Sequence, residues 1–338
     1  MGQRGGFMTD RQEDNFGVSD VRQPFDEARL AEWMAAHVGG FAGSLVVQQF
    51  RGGQSNPTYR LTTPGQSYVM RRKPPGESLQ GAHAVDREFR AIAALHAAGF
   101  PVPRAHGLCT DVDVIGSWFY VMDLVEGRSI WDTSFPTVSR DERPRYFNAM
   151  IETLAQLHNL DPVAIGLADF GKPGDYIPRQ IRRLTRQYHD NEAAGRDPHL
   201  DQLTEWLAAN VPPGEEVALI HGDFRCDNMI FHATEPRVSA VLDWELSTLG
   251  HPLADLAFHT MIYRMPPEII TGLAGLDLAA LNIPYEAEYI ATYCRLTGRA
   301  GVEHYDFYVA FNMFRLAVIL HGIKGRHLRG TATSANAP

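Results

Sequence analysis

Residues 219–249 read LIHGDFRCDNMIFHATEPRVSAVLDWELSTL, and two short apolar runs at its ends each lead into a polar cluster. Ala218-Leu219-Ile220 runs into His221-Gly222-Asp223, with Asn228 five residues beyond Asp223, and Val238 to Leu242 runs into Asp243-Trp244-Glu245. Between them, Met229-Ile230-Phe231 and the Glu235-Pro236 turn read as a strand and its hairpin connection. Rigid strands that present carboxylates on the loops at their ends hold a charged centre steady. One carboxylate together with the Asn228 carboxamide suits a hard cation such as Mg²⁺, which keeps waters and takes few protein ligands. A second carboxylate, not bound to metal, can accept a proton from a hydroxyl nucleophile. The order H-x-D-x-x-x-x-N followed by a D-x-x strand end is the layout of phosphoryl-transfer centres. Arg225, two residues past Asp223, is placed to reach a transferring phosphoryl group. Taken singly, Asp223 and Asp243 read better as turn caps, since Asp is a common turn residue.

What lies upstream decides between these readings. Ser44 to Phe50 reads as a strand that enters Arg51-Gly52-Gly53-Gln54-Ser55-Asn56, and a second strand, Thr58 to Thr62, returns. The glycines permit a turn whose N–H groups approach a phosphate, although a plain glycine-rich hairpin has the same composition. Pro64-Gly65 turns the chain into Ser67 to Arg72, with Val69 and Arg71 on one face, and Ala84 to Ala97 follows as a helix carrying Glu88. His106 to Cys109 and Trp118 to Leu124 read as two more strands. The spacing predicts an α+β chain: a five-stranded antiparallel sheet with one long helix over 23–126, then a mainly helical lobe over 127–330. The clearest helices are Arg143 to Leu160, Tyr176 to Glu192, Leu200 to Asn210, Tyr285 to Thr297 and Val302 to Ile323, with Asp26 to Val38 preceding the sheet. Residues 1–22 are polar and aperiodic and are expected to be disordered. A glycine turn, a strand cation, a helix glutamate and the two aspartate loops in that order outweigh the turn-cap reading.

Composition narrows the class further. A formal charge of −9 argues against non-specific nucleic-acid binding, which needs a basic footprint. Cys109, Cys226 and Cys294 form neither a CxxC pair nor a disulfide framework. No uninterrupted apolar run approaches the ~18 residues of a membrane span, and no apolar leader is evident. The chain is therefore expected to be cytoplasmic, with no nucleic-acid or membrane partner and with its oligomeric state open.

HGDFRCDN and LDWE resemble the catalytic-loop and metal-binding motifs of the aminoglycoside phosphotransferase/choline kinase-like family, which shares the bilobal protein-kinase-like fold. GGQSNPTY, KPPGESLQGAHAVDREF, YVMDLVEGR, PRQIRRLTRQY and DWELSTLGHPLADLAF are similar to the kinase-like domain joined to acyl-CoA dehydrogenase domains in some eukaryotic proteins. No dehydrogenase domain is expected within these 338 residues. The resemblance implies ATP as phosphoryl donor and Mg²⁺ as cofactor. It implies that Asp223 orients or deprotonates the acceptor hydroxyl and that Asn228 and Asp243 hold the metal. Gly52, Gly53, Gln54 and Ser55 would cover the phosphates, and Met122, Asp123 and Leu124 would form the hinge that meets adenine. Strand register favours Arg71 as the phosphate cation paired with Glu88, with Arg72 and Lys73 as rivals, where protein kinases use lysine. Asp255 is expected to anchor the catalytic loop, and His158 and His221 to support their surroundings.

The acceptor is read from elsewhere. Arg179, Arg182, Arg183 and Arg186 share one face of a predicted helix. Such a face is either solvated and paired with carboxylates such as Glu205 or Asp190, or it recognises an anion. In the second case the acceptor is an anionic hydroxylated small molecule, with a hydroxyacyl-CoA as the candidate. An antibiotic kinase of the aminoglycoside 3′-type and a catalytically silent nucleotide-binding module are the alternatives.

Overall fold

Alternation along three neighbouring strands sets the two faces of the main sheet. The structure, a computed structural model, describes residues 17–51, 56–74 and 85–330. Its first elements are β1 (Val18–Ser19), α1 (Glu27–His37), β2 (Val46–Phe50), β3 (Thr58–Thr62), β4 (Ser67–Arg72), α2 (Val85–Ala97), β5 (Ala105–Cys109), α3 (Val112–Ile115), β6 (Phe119–Asp123), β7 (Arg128–Ser129) and α4 (Arg143–His158). Then come α5 (Tyr176–His189), α6 (Pro198–Ala209), β8 (Ala218–Ile220), β9 (Met229–Phe231), β10 (Val238–Val241), β11 (Thr248–Gly250) and α7 (Pro252–Thr260). α8 (Leu278–Leu281), α9 (Glu286–Thr297) and α10 (Tyr305–Leu328) close the chain.

By packing, these elements fall into two units. The first takes the described parts of residues 1–153 with 165–167 and 225–247; the second takes 154–164, 168–224 and the described residues from 248 onward. Composition alone divides the chain near Glu126-Gly127, whereas 127–153 and 225–247 pack with the first unit. The contacts responsible are specific: the Val241 amide donates to the Pro101 carbonyl at 2.8 Å, and Trp244 lies edge-on to Phe100.

In the first unit an antiparallel sheet runs in the order β1-β2-β3-β4-β6-β5. It has six strands where the sequence predicts five, because Val18–Ser19 pairs with Gln49 and Phe50 at the edge of β2. That segment lies inside the stretch expected to be a disordered tail; residues 1–16 of that stretch are outside the described part. Tyr59 and Leu61, Tyr68 and Met70, and Phe119 and Val121 point to one side and pack on Leu30, Met34 and Val38. Those three recur at helical spacing along and just beyond α1, whose N-terminus is capped by the Asp26 carboxylate accepting from the Arg29 amide. Each such side chain contributes roughly 1.5–3 kcal/mol when fully buried. The alternate residues Thr58, Arg60, Val69, Arg71, Tyr120 and Met122 face a cavity on the other side. β7, β9 and β10 form a second small antiparallel sheet in this unit.

The second unit is helical apart from the β8–β11 pair. α7 is buried along its whole length, and α10 packs against it and against α5 and α6. By length and composition alone α10 would suffice to cross a membrane. Here Phe307, Phe311, Phe314 and Val318 form its buried row, and Asn312 donates to the Ala254 carbonyl at 2.8 Å. α5 stops at His189, three residues short of the predicted end, and Glu192–Ala194 forms a separate 3₁₀ turn.

Candidate active site

A cavity of about 1050 Å³ opens on the inner face of the six-stranded sheet. Val69, Met122, Ile230 and Leu242 give it apolar walls, and Arg71, Glu88, Asn228 and Asp243 are gathered on its lining. That combination of apolar surface and a few convergent polar groups is what a small-molecule pocket requires.

Arg71 is the hub. Its Nη1 donates to Glu88 Oε1 at 2.5 Å and to Asp243 Oδ1 at 3.2 Å, and its Nη2 lies 3.7 Å from Glu245 Oε2. Register decides this. Arg71 is opposite Thr58 and Tyr120 on the cavity face, while the next residue necessarily points the other way. Arg72 accordingly donates to Ser117 Oγ (2.7 Å) and the Ile115 carbonyl (2.9 Å) and stacks on Phe25. Lys73 sits over the Trp118 ring. Of the three candidate cations, Arg71 meets the helix glutamate.

Three carboxylates thus surround one guanidinium. Burial alone would lower the Arg71 pKa, but Glu88, Asp243 and Glu245 together raise it. Glu88 is 1% exposed. Burial pushes its carboxyl up to about 7 against the attraction of Arg71, and the negative charges of Asp243 and Glu245 push the same way. The carboxylates gathered on Arg71 make this wall one that a divalent cation would suit.

The ends of β9 and β10 supply oxygen ligands of suitable kind. Asn228 closes a 3₁₀ turn, its amide donating to the Arg225 carbonyl at 3.1 Å, and its own carbonyl accepts from the Leu242 amide at 2.8 Å. This bond ties the Asn228 turn to the residue before Asp243. Asp243 has φ +65° and ψ +62°, a left-handed conformation that aspartate tolerates better than most residues but that costs on the order of 1–2 kcal/mol. Trp244, buried behind it, donates Nε1–H to the Val241 carbonyl at 3.0 Å and helps fix the bend. Among the described residues no cluster of three or more His, Cys, Asp or Glu forms a metal cage. A carboxamide and a carboxylate on one cavity wall fit Mg²⁺ carried in with phosphates, not a dedicated protein-ligated metal.

Asp223 belongs to the second unit, where its loop is held from below. The buried Asp255 carboxylate of α7 accepts from the His221 amide (2.8 Å), the Gly222 amide (2.9 Å) and, at 3.3 Å, His158 Nε2. Burial opposes its ionisation, yet these partners hold its pKa below the usual carboxylate value. The Asp223 amide donates to His221 Nδ1 at 3.1 Å. His259 Nδ1 meets the Phe224 carbonyl at 3.1 Å and its Nε2 meets Tyr289 Oη at 2.7 Å. Burial drives the pKa of His259 down to about 4, so the ring is neutral and the Nδ1 proton is donated to the loop. His158 bonds Tyr293 Oη at 2.7 Å. Both histidines named in the sequence thus have structural partners.

The profile of the phosphotransferase enzyme family matches residues 46–307 of this chain. The chain belongs to that family. The Gallus gallus acyl-CoA dehydrogenase family member 11 is 45% identical over 333 residues, covering 95% of this chain and 42% of the relative. The chain therefore spans about two-fifths of the length of that protein. A solved structure from Ralstonia eutropha JMP134, provisionally named an aminoglycoside phosphotransferase, is 48% identical, covers 93% of each chain and superposes with a TM-score of 0.86. Spectinomycin phosphotransferase, in complex with ADP and spectinomycin, shares the fold alone, at 15% identity, TM-score 0.60 and coverage of 94% of this chain and 91% of its own.

Placed on this phosphotransferase, the remaining residues singled out in the sequence divide. Gly52, Gly53, Gln54 and Ser55 lie outside the described residues. Met122, Asp123 and Leu124 do line the cavity, but the amides of Asp123 and Leu124 already donate to the Arg104 and Ser67 carbonyls. The Asp123 carboxylate is held by His106 (2.6 Å) and Gln66 (3.0 Å). The two amides are occupied because β6 is an inner strand with a partner on either side, and Val125 and Glu126 continue the lining after β6 ends. Arg225 forks onto Asp227, with Nε to Oδ1 at 2.9 Å and Nη2 to Oδ2 at 2.6 Å. Cys226 is buried, and burial raises its thiol pKa far above that of a reactive cysteine. On α5, Arg179 donates to the Gly174 and Lys172 carbonyls, while Arg182, Arg183 and Arg186 are exposed. None of the four pairs with Glu205, Asp190 or another carboxylate among the described residues. His259 and Arg315, which no motif in the sequence marks, also hold the Asp223 loop: Arg315 Nη2 donates to the Gly222 carbonyl at 2.6 Å.

Proposed function

We propose that the chain transfers the γ-phosphoryl group of ATP to a hydroxyl of an anionic small molecule, with a hydroxyacyl-CoA as the favoured acceptor. The observation that carries this reading is the meeting of Arg71 with Glu88 and Asp243 on the wall of one large cavity that Asn228 also lines. Val69, Met122, Ile230 and Leu242 offer apolar surface for a base. Arg71, fixed by Glu88, offers a guanidinium to phosphate oxygens; its Nε is buried and has no partner among the described residues. Asn228 and Asp243 would hold Mg²⁺, which when bound neutralises charge on the phosphates. Asp223, five residues before Asn228 in the chain, orients the acceptor hydroxyl and takes its proton. The hydroxyl oxygen forms the new bond to γ-phosphorus as the bond from phosphorus to the β–γ bridging oxygen breaks, and the bridging electrons leave with ADP. The acceptor follows from two supports, the basic face of α5 and relatives named as acyl-CoA dehydrogenases. A polycationic aminoglycoside is disfavoured by the same basic face.

The test is an ADP-release screen across hydroxyacyl-CoAs, sugars, amino alcohols and aminoglycosides with Asp223→Ala as the blank. Stimulation by a hydroxyacyl-CoA, reduced about 10²–10⁴-fold in the variant, is expected. Stimulation by aminoglycosides alone would replace the acceptor assignment, and undiminished turnover in Asp223→Ala would remove the mechanism.

A further inference from the structure

Two arginines of the large cavity have no task in the transfer of the γ-phosphoryl group. Arg60 of β3 lies opposite Val69, which in turn lies opposite Met122, and these are the residues that offer apolar surface to a base. Arg71 belongs to the neighbouring inward-facing row with Thr58 and Tyr120, about 7 Å further along the strands at ~3.4 Å per residue. Arg60 lines the cavity, yet it makes no hydrogen bond or ion pair among the described residues, and its Nε is buried. Arg128 lines the cavity from the other wall. It follows Gly127, whose backbone lies so close to β9 that an added Cβ would collide with the Phe231 carbonyl and Ile230 Cγ2. Its Nη2 donates to Tyr146 Oη and its guanidinium lies 5.3 Å from the centre of that ring. Its Nε is buried without a partner, and no carboxylate pairs with it among the described residues. Of the acids on the same lining, Asp123 is held by His106 and Gln66 and Asp227 by Arg225. Glu126 is exposed and bonded to neither arginine.

A buried guanidinium N–H without an acceptor is costly, and in a cavity the acceptor it lacks is one that a ligand brings. The base and ribose of ATP are neutral, and its phosphates lead away toward Arg71. An anion at the base end of the cavity has to hang from the ribose. We propose that Arg60 and Arg128 form a subsite for a phosphate on the ribose of an adenine nucleotide, so that the cavity admits the phosphorylated ADP head of a CoA as well as ATP. Arginine suits that task, because its planar fork meets phosphate oxygens with two N–H groups at once. The proposal rests on the phosphotransfer reading, which puts a nucleotide in this cavity, and adds a control on it. A CoA, free or acylated, competes with ATP for the donor site, so that an acyl-CoA acceptor slows its own phosphorylation when it is abundant.

Calorimetric titration of the full chain in Mg²⁺ tests it, with ADP, ADP bearing a ribose 3′-phosphate, and ADP bearing a ribose 2′-phosphate as the three ligands. Wild type is expected to bind the 3′-phosphate form about tenfold or more tighter than ADP, the effect of charge-assisted bonds to one added phosphate. CoA added beforehand is expected to weaken the apparent binding of ADP. Arg60→Gln and Arg128→Gln are each expected to reduce the preference for the 3′-phosphate form, and Arg60→Lys to retain most of it. ADP binding in each variant reports that the cavity is intact. Arg72→Met, whose guanidinium points to the other side of the sheet, controls for net charge and should keep the preference. Equal wild-type affinity for ADP and its 3′-phosphate form, or an equal loss of both ligands in Arg60→Gln, would overturn the subsite while leaving nucleotide binding standing. Preference for the 2′-phosphate form would overturn the assignment to CoA. Failure of wild type to bind ADP at all would remove the phosphotransfer reading and the subsite with it.

Discussion

Replacing Glu88 by Gln probes the charge arrangement around Arg71. In the unfolded chain the Glu88 carboxyl titrates near its ordinary value of 4.5; in the folded protein burial raises it to about 7 despite the 2.5 Å contact with Arg71. A folded-state pKa above the unfolded one means that the folded protein holds the proton longer. The stabilisation is therefore complete below about 4.5 and is lost as pH rises through about 7. At about 1.4 kcal/mol per pH unit, the difference between these limits is on the order of 3 kcal/mol. Glutamine keeps the shape and an acceptor oxygen but cannot ionise, so Glu88→Gln removes this dependence. Urea unfolding at intervals between pH 4.5 and 8 is the assay. The two proteins are expected to be nearly equal in stability at the acid end. The variant should become the more stable one at the alkaline end by up to ~3 kcal/mol. An ordinary salt bridge predicts the opposite sign, because a carboxylate stabilised by Arg71 would titrate below 4.5 and its loss would hurt most at high pH. A variant less stable than wild type at pH 8 would refute the view that burial outweighs the attraction of Arg71 for the Glu88 carboxylate.

Two further outcomes follow from the same contacts. Arg72→Met should lower stability by about 1–3 kcal/mol through the lost bonds to Ser117 and Ile115, with affinity for a nucleotide analogue intact. Arg71→Met should abolish that affinity, and equal effects would contradict the assigned register. Asp255→Asn leaves at least one loop amide without its acceptor and should cost about 3 kcal/mol in urea unfolding, with a fall in turnover. Because the Asp255 pKa is depressed in the folded protein, its contribution is present above the unfolded value and is lost as pH falls through the folded one. The variant should therefore show a flatter acid limb, and an unchanged acid limb would argue against the anchor.

Much of this was legible in the chain. Alternation in TYRLT and the apolar runs of SYVMRR and FYVMD set the strands, and successive side chains on a pleated strand point to opposite faces. The same alternation favoured Arg71 over Arg72 before any contact was known. HGDFRCDN and LDWE marked the loops, since turns that carry Asp and Asn at fixed offsets leave a local signature. The edge strand Val18–Ser19 was not legible, because two residues carry no period and the strand exists only through pairing with β2. Nor was the engagement of the Asp123 and Leu124 amides by the Arg104 and Ser67 carbonyls, which depends on the strands that flank β6.

The sequence by itself determined the strand faces and the order of the loops, which follow from local periodicity and turn chemistry. Only the tertiary structure decided that Glu88, Asp243 and Glu245 gather on one guanidinium and that Asp255, His259 and Arg315 hold the Asp223 loop. Each of these joins residues far apart in the chain, and their energies come from burial and through-space charge, which no spacing along one segment records.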